Sequence, residues 1–174
     1  HRPAKHVAVR TPDHLSSAAY QKLSAFAEMV RRKPEITTVV NLGIGGSDLG
    51  PKMATQALAG YHTRPICHFV GNICPTDLHD VLVKCDPHKT LFIVTSKTFT
   101  TAETLANAMM AKNWLDQHGV DSGAAMVAVT AAGARAQAWA RVRVALRWMM
   151  LGPAFWDGAR TTCRGWARCP RGRG

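Results

Sequence analysis

Residues 37–51 read TTVVNLGIGGSDLGP, a β-branched run that passes into a segment rich in glycine. Because β-branched residues favour pleated, half-buried backbone, residues 37–42 are predicted to form a buried strand. The segment from Gly43 to Gly50 is predicted to be a tight turn whose backbone N–H groups can approach an anion closely. Pro51 is predicted to open a helix that ends near Gly60, because proline suits the first turn of a helix.

Strand and helix alternate on both sides of this unit. The predicted strands are apolar on both faces, which is typical of a parallel sheet that is covered by helices on both sides. We therefore predict an α/β fold, a three-layer sandwich with a parallel sheet flanked by helices. The further strands are predicted at residues 66–70, 90–95 and 124–130, and the further helices at residues 16–33, 76–84 and 101–118.

A second turn with unusual chemistry follows the predicted strand at residues 90–95. Residues 96–101 read SKTFTT and offer four hydroxyl groups and one ammonium group. Hydrogen bonds to a charged group contribute about 1.5–3 kcal/mol each, so several of them would suit a phosphate dianion. A Ser/Thr helix cap beside an exposed lysine is the alternative, and it accounts for one hydroxyl group rather than four. The segment therefore predicts an anion site.

Known nucleotide-binding motifs do not match the glycine-rich segment. A dinucleotide fingerprint would require a third glycine at position 48, which is Asp48. A nucleotide P-loop would require Lys and then Ser or Thr after Gly50, where Pro51 stands. On its own the segment also fits a tight turn without a ligand. Ligands of open α/β sheets bind beyond the carboxyl ends of the strands, so the two turns together predict one shared ligand.

The basic residues are concentrated at the end of the chain. The 174 residues carry a formal net charge of +11, of which +8 lies in residues 131–174, with nine Arg and one acid. A nucleic-acid-binding protein driven by this tail is an alternative, and its affinity would fall steeply with salt. The tail contains no recognisable binding module and its arginines have no regular spacing, so we expect no nucleic acid partner.

Several other classes of protein are not expected. The five cysteines are odd in number and lack the two-residue spacing of a zinc site, which favours reduced thiols in the cytoplasm. The eight histidines are scattered, so we predict no metal site. The apolar runs are too short to cross a bilayer, and the first residues contain no secretion signal. The first residue is not Met, so we expect the chain to start within a larger protein.

Two segments resemble signature sequences of the phosphoglucose isomerase (glucose-6-phosphate isomerase) family. They are residues 41–51 (NLGIGGSDLGP) and residues 95–104 (TSKTFTTAET). Residues 6–10 and 68–72 are also similar to the family, and the resemblance runs from about residue 5 to residue 130. It implies the sugar-isomerase (SIS) domain fold, flavodoxin-like and here incomplete.

The resemblance also implies an activity and a set of binding residues. The family interconverts glucose 6-phosphate and fructose 6-phosphate without a cofactor, by proton transfer through a cis-enediol, and works as a homodimer. The turn that matches Ser96, Lys97, Thr98 and Thr101 would hold the substrate phosphate. The turn that matches Gly46 and Ser47 would lie beside it and contact the sugar.

The catalytic residues that the resemblance implies are not found in this sequence. In the family a Glu acts as base, a His opens the ring and a Lys assists, all downstream of the residues matched here. In the family an Arg stabilises the enediolate, and Arg160 stands in its place only at a shortened spacing after Phe155, Trp156 and Asp157. We therefore assign no catalytic residue. The sequence after about Arg135 is similar to the product of a reading-frame slip.

The chain is accordingly divided into three predicted regions. An N-terminal segment with one helix occupies residues 1–34, and the sugar-phosphate-binding SIS domain occupies residues 35–130. Residues 131–174 form an aberrant tail rich in Arg and Trp that we expect to be poorly ordered. The alternative function is a non-catalytic sugar-phosphate-binding regulator built on an SIS domain, although such regulators lack residues 41–51 in this form.

Overall fold

A computed structural model describes residues 18–61, 64–132, 135 and 147–150. These residues form a five-stranded sheet in the order β2-β1-β3-β4-β5, and every neighbouring pair is parallel. The predicted parallel α/β fold is thereby confirmed. The strands are β1 Thr38–Leu42, β2 Ile66–Val70, β3 Thr90–Thr95, β4 Met126–Thr130 and β5 Arg147–Met150.

The helices connect the strands and cover both faces of the sheet. They are α1 Ala18–Arg31, α2 Gly46–Ala57, α3 Pro75–Leu82, α4 Ala102–Gln117 and the short α5 Ser122–Ala125. Short 3₁₀ turns lie at Ala59–Tyr61 and Pro87–Lys89. None of these helices is long and apolar enough to pass through a bilayer, as far as the described part of the chain extends.

Alternate residues of the central strands pack into two separate clusters. On one face Phe92 of β3 is fully buried and meets Trp114 of α4 edge-on, with the ring centroids 6.0 Å apart. On the other face Val127 of β4 packs with Leu23 and Phe26 of α1. Successive side chains of a strand point to opposite faces, so a strand that is apolar at every position requires a helix layer on each side.

Helix α2 begins five residues earlier than predicted. The prediction took Pro51 as the first helical residue, but the helix starts at Gly46 and contains Pro51 in its second turn. A proline there removes one i→i−4 hydrogen bond, which leaves the carbonyl of Ser47 without its helical donor. Asn41 supplies a donor instead, because its Nδ2 donates to the Ser47 carbonyl at 3.0 Å. The proline is tolerated for that reason.

Among the other element boundaries that differ from the prediction, two have a local cause. Helix α3 starts at Pro75, one residue before the predicted start at residue 76, because proline occupies the first helical position after the N-cap Cys74. Strand β4 starts at Met126, since Asp121 caps the short helix α5 by accepting the Gly123 N–H at 2.9 Å. The predicted bounds of the strand at residues 66–70 agree with β2.

Strand β5 lies beyond the domain boundary that was predicted at residue 130. It pairs in parallel with β4, from Val127 opposite Arg147 to Thr130 opposite Met150. Residues 147–150 are therefore part of the sheet, and the region predicted as a poorly ordered tail contains its outer strand. The remainder of that region, including Arg160, lies outside the described residues except for Ala131, Ala132 and Arg135.

Candidate functional site

The chain reverses direction across the sheet between β1 and β3. From β1 it runs outward to β2, then returns to the other side of β1 to form β3, and continues to β4. Ligands of open α/β sheets bind at such a switch point, in the crevice beyond the carboxyl ends of the two strands. The register places Leu42 of β1 beside Val94 of β3, so the glycine turn after β1 lies next to the turn at residues 96–101.

The glycines of the turn after β1 serve different purposes. A side chain at Gly43 would lie 2.7 Å from the backbone oxygen of Ser47, so packing requires glycine there. Gly45 has a φ of +60°, which favours glycine. Gly46 satisfies neither condition, because a side chain there would meet nothing within 4 Å. Gly46 is exposed at the first position of α2, where the amide groups of a helix are available to an anion.

The turn at residues 96–101, hereafter the serine-threonine turn, is held by its own hydroxyl groups. Ser96 is 3% exposed, and its Oγ accepts the Phe99 N–H at 3.1 Å. The same Oγ lies 3.3 Å from Thr101 Oγ1. Thr98 and Thr100 pair through their hydroxyl oxygens at 2.7 Å and are exposed. Three hydroxyl groups of this turn thus lie near its surface, while that of Ser96 organises its interior.

The backbone of the serine-threonine turn is strained and anchored. Phe99 has a φ of +52°, a left-handed conformation that costs a residue other than glycine about 1 kcal/mol or more. Its side chain is 4% exposed within the core, and this burial offsets the strain. The carbonyl of Lys97 accepts the Thr130 hydroxyl at 3.1 Å and the Ala131 N–H at 3.2 Å, which attaches the turn to the end of β4. Lys97 itself is half-buried.

The structure also shows residues at the site that the sequence analysis did not assign. Asn41 lies between the two turns, where its Oδ1 accepts the Thr95 hydroxyl at 2.7 Å and its Nδ2 donates to Ser47. The position of a polar residue within a β-branched strand could have indicated a role for Asn41. Arg135 Nη1 donates to the Thr98 carbonyl at 3.3 Å and brings a second cation to the serine-threonine turn. Nothing in the sequence pattern indicated that contact.

One carboxyl group lies in the glycine turn. Asp48 is 7% exposed, and burial raises the pKa of its carboxyl group, with Lys52 acting in the opposite direction. Its Oδ2 closely approaches Gly71, where an added side chain would lie 2.6 Å from that oxygen. Asp48 Oδ1 has no hydrogen-bond partner among the described residues. These same residues contain no cluster of three His, Cys, Asp or Glu side chains that could hold a metal ion.

Comparisons with known proteins show which family the chain is similar to. The chain matches the phosphoglucose isomerase family over residues 8–149. It is 49% identical over 115 residues to the glucose-6-phosphate isomerase of Roseobacter denitrificans, which covers 66% of this chain and 22% of that protein. The crystal structure of a glucose-6-phosphate isomerase from Chlamydia trachomatis is similar with a TM-score of 0.68 and 31% identity, over 78% of this chain and 26% of that one.

A more distant likeness concerns the fold alone. The sugar isomerase domain of an RpiR transcription factor from Sphaerobacter thermophilus is similar with a TM-score of 0.50 and 20% identity, over 76% of this chain and 63% of that one. By its fold the chain is similar to sugar-isomerase (SIS) domains. More narrowly, it belongs to the phosphoglucose isomerase family. The chain spans 22% of the length of the Roseobacter relative that it matches.

Proposed function

We propose that this chain is the sugar-phosphate-binding part of a glucose-6-phosphate isomerase, which interconverts glucose 6-phosphate and fructose 6-phosphate. The observation that supports it best is the position of the glycine turn and the serine-threonine turn on neighbouring strands at the switch point of the sheet. The binding residues in this proposal are Gly46, Ser47, Ser96, Lys97, Thr98 and Thr101.

The proposed binding is electrostatic and is shared between the two turns. Helix α2 begins at Gly46, within the glycine-rich segment 43–50, and α4 begins at Ala102, directly after the serine-threonine turn. A helix N-terminus carries roughly half a positive charge. The ammonium group of Lys97 adds a full charge, and the hydroxyl groups of Thr98 and Thr101 add donors. A phosphate dianion would therefore be held from both sides, with the sugar beyond the glycine turn.

Isomerisation requires in addition a group that moves a proton between C1 and C2 of the sugar. Such a group must lie within hydrogen-bond reach of that proton. Neither turn contains His or Glu, and Asp48 in the glycine turn is buried. We therefore propose that this chain binds sugar phosphate, and that the base and the ring-opening acid belong to the part of related enzymes that it does not match. The proposal needs no cofactor, and it places the enzyme in the cytoplasm as a homodimer.

A lysine pair provides a matched test of this proposal. Lys97 lies just beyond the carboxyl end of β3, and Lys89 lies just before the amino end of the same strand. We expect Lys97→Met to weaken glucose 6-phosphate binding about tenfold or more, because a charge-assisted contact is lost, and Lys89→Met to leave it unchanged. Binding is measured by calorimetric titration, with glucose as the ligand that lacks the phosphate.

The outcomes separate the proposal from its alternative. Equal affinities of Lys97→Met and Lys89→Met, or binding of glucose as tight as that of its phosphate, would contradict the phosphate site. A coupled assay on the unaltered chain is expected to show no turnover. Turnover near that of a full-length relative would contradict the proposal that the catalytic base lies outside this chain. The likeness to the transcription-factor domain shows the fold alone, so the regulatory function stays an alternative without an observation that favours it.

A further inference from the structure

We infer that Asn41 is a positioning residue, whose side chain sets the spacing between the glycine turn and the serine-threonine turn. The inference rests on the proposed function, because it concerns how the two turns hold one sugar phosphate together. Asn41 is not one of the proposed binding residues itself. It acts through Ser47 on one turn and through Thr95, the residue before Ser96, on the other.

The hydrogen bonds define the orientation of the Asn41 amide without ambiguity. A backbone carbonyl can only accept, so the nitrogen that faces the Ser47 carbonyl at 3.0 Å must be Nδ2. Oδ1 therefore faces Thr95, and the Thr95 hydroxyl donates to it at 2.7 Å. Asn41 and Thr95 are buried, with 7% exposure each, so the bond between them is shielded from water, whereas Ser47 at the other bond is half-buried.

Pro51 of α2 leaves the Ser47 carbonyl without its helical donor, and Asn41 supplies one. In an uninterrupted helix the Ser47 carbonyl would accept the N–H of residue 51. Pro51 has no N–H, which leaves that carbonyl open to Asn41. The hydrogen bond that the Ser47 carbonyl accepts therefore comes from a side chain of strand β1, and it attaches the first turn of α2 to that strand.

The neighbours of Asn41 show that its polarity is not needed to complete the sheet. The residues in register with it are Phe69 on β2 and Ile93 on β3, both apolar. A buried amide has a desolvation cost that an apolar residue at this position would not have. The two hydrogen bonds offset that cost, and what they add is a link between two turns that are separated by 48 residues, from Ser47 to Thr95.

Two threonines of β3 allow the link to be tested against a structural control. Thr95→Val removes the hydroxyl group that donates a hydrogen bond to Asn41, whereas Thr95→Ser retains it. Thr90→Val is the control, because Thr90 is 4% exposed at the other end of β3 and its hydroxyl also donates a 2.7 Å bond, to the Asp86 carbonyl. Each variant of the full chain is titrated with glucose 6-phosphate, and its melting temperature is recorded.

We expect Thr95→Val to weaken glucose 6-phosphate binding about fivefold or more, the factor that corresponds to about one neutral hydrogen bond. Thr95→Ser and Thr90→Val should bind within about twofold of the unaltered chain, while the two valine variants lose similar melting temperature. If Thr95→Val binds as well as Thr90→Val, the inference is overturned and the proposed function stands. If the unaltered chain does not bind at all, the proposed function fails and the inference with it.

A measurement on the unaltered chain covers the case in which Thr95→Val does not fold. The side-chain amide protons of Asn41 are expected to exchange with water at least about tenfold more slowly than those of the exposed Asn113. They should slow further when glucose 6-phosphate is added, because the ligand would hold both turns. Equal exchange of the two amides, or no change on addition of the ligand, would overturn the inference.

Discussion

At the scale of single residues, substitutions of Gly43 and Gly46 by alanine are expected to have opposite effects, although the two glycines are three positions apart. Gly43→Ala should lower the free energy of unfolding by about 1–3 kcal/mol, because the new Cβ would lie 2.7 Å from the Ser47 carbonyl oxygen. Gly46→Ala should not lower it, since a side chain there meets open space, but it should weaken glucose 6-phosphate binding about tenfold by blocking the amide.

Chemical denaturation and ligand titration of the two variants check this pair, and each variant is the control for the other. If Gly46→Ala is destabilised and binds normally, Gly46 has a packing role and should be removed from the binding residues. The sequence alone could predict that the segment is rich in glycine and anion-competent. It could not separate Gly43 from Gly46, because the distinction depends on where Ser47 lies in space.

At the scale of secondary structure, strands were easier to predict than helix ends. Strand β2 matches its predicted bounds, because four of the five residues of Ile66–Val70 are apolar and turn residues bound the segment. Helix α2 was predicted too short, because a proline normally marks a first turn and the compensating bond from Asn41 is not local. Strand β5 was missed, because it lies in a stretch whose Arg and Trp content departs from the pattern of the other strands.

Helix α4 makes a prediction of its own through Asn107. This residue is fully buried, and its Nδ2 donates to the Asn72 carbonyl at 2.7 Å, which attaches the segment after β2 to the helix. Asn107→Ala should lower the free energy of unfolding by about 1–3 kcal/mol, because the Asn72 carbonyl loses its donor. The matched control is Asn113→Ala on the exposed face of α4, which should change it by less than about 0.5 kcal/mol.

Urea denaturation of both variants measures this difference. Equal stabilities would show that the segment after β2 is held by other contacts. Two further polar atoms on this face of the helix, Asn107 Oδ1 and Thr104 Oγ1, are buried without a hydrogen-bond partner among the described residues. The sequence pattern indicated a helix here but not these buried polar positions, since Asn and Thr on a helix are usually exposed.

At the scale of the whole molecule, one sheet brings together two turns that are distant in sequence. The order β2-β1-β3-β4-β5 places β1 and β3 side by side, and both turns lie at the crevice beyond the carboxyl ends of these strands. The alternation of strand and helix was enough to predict a parallel sheet. The strand order itself was not readable from the residues, and it is what turns two separate anion-competent segments into one site.

Amide chemical shifts during a titration with glucose 6-phosphate test this claim most directly. We expect signals of residues 43–48 and of residues 96–101 to shift together with one dissociation constant, while glucose at the same concentration leaves both unmoved. Signals around Asp86 and Lys89, which lie before the amino end of β3, should not shift. Movement of one turn without the other, or of neither, would contradict a phosphate held between them.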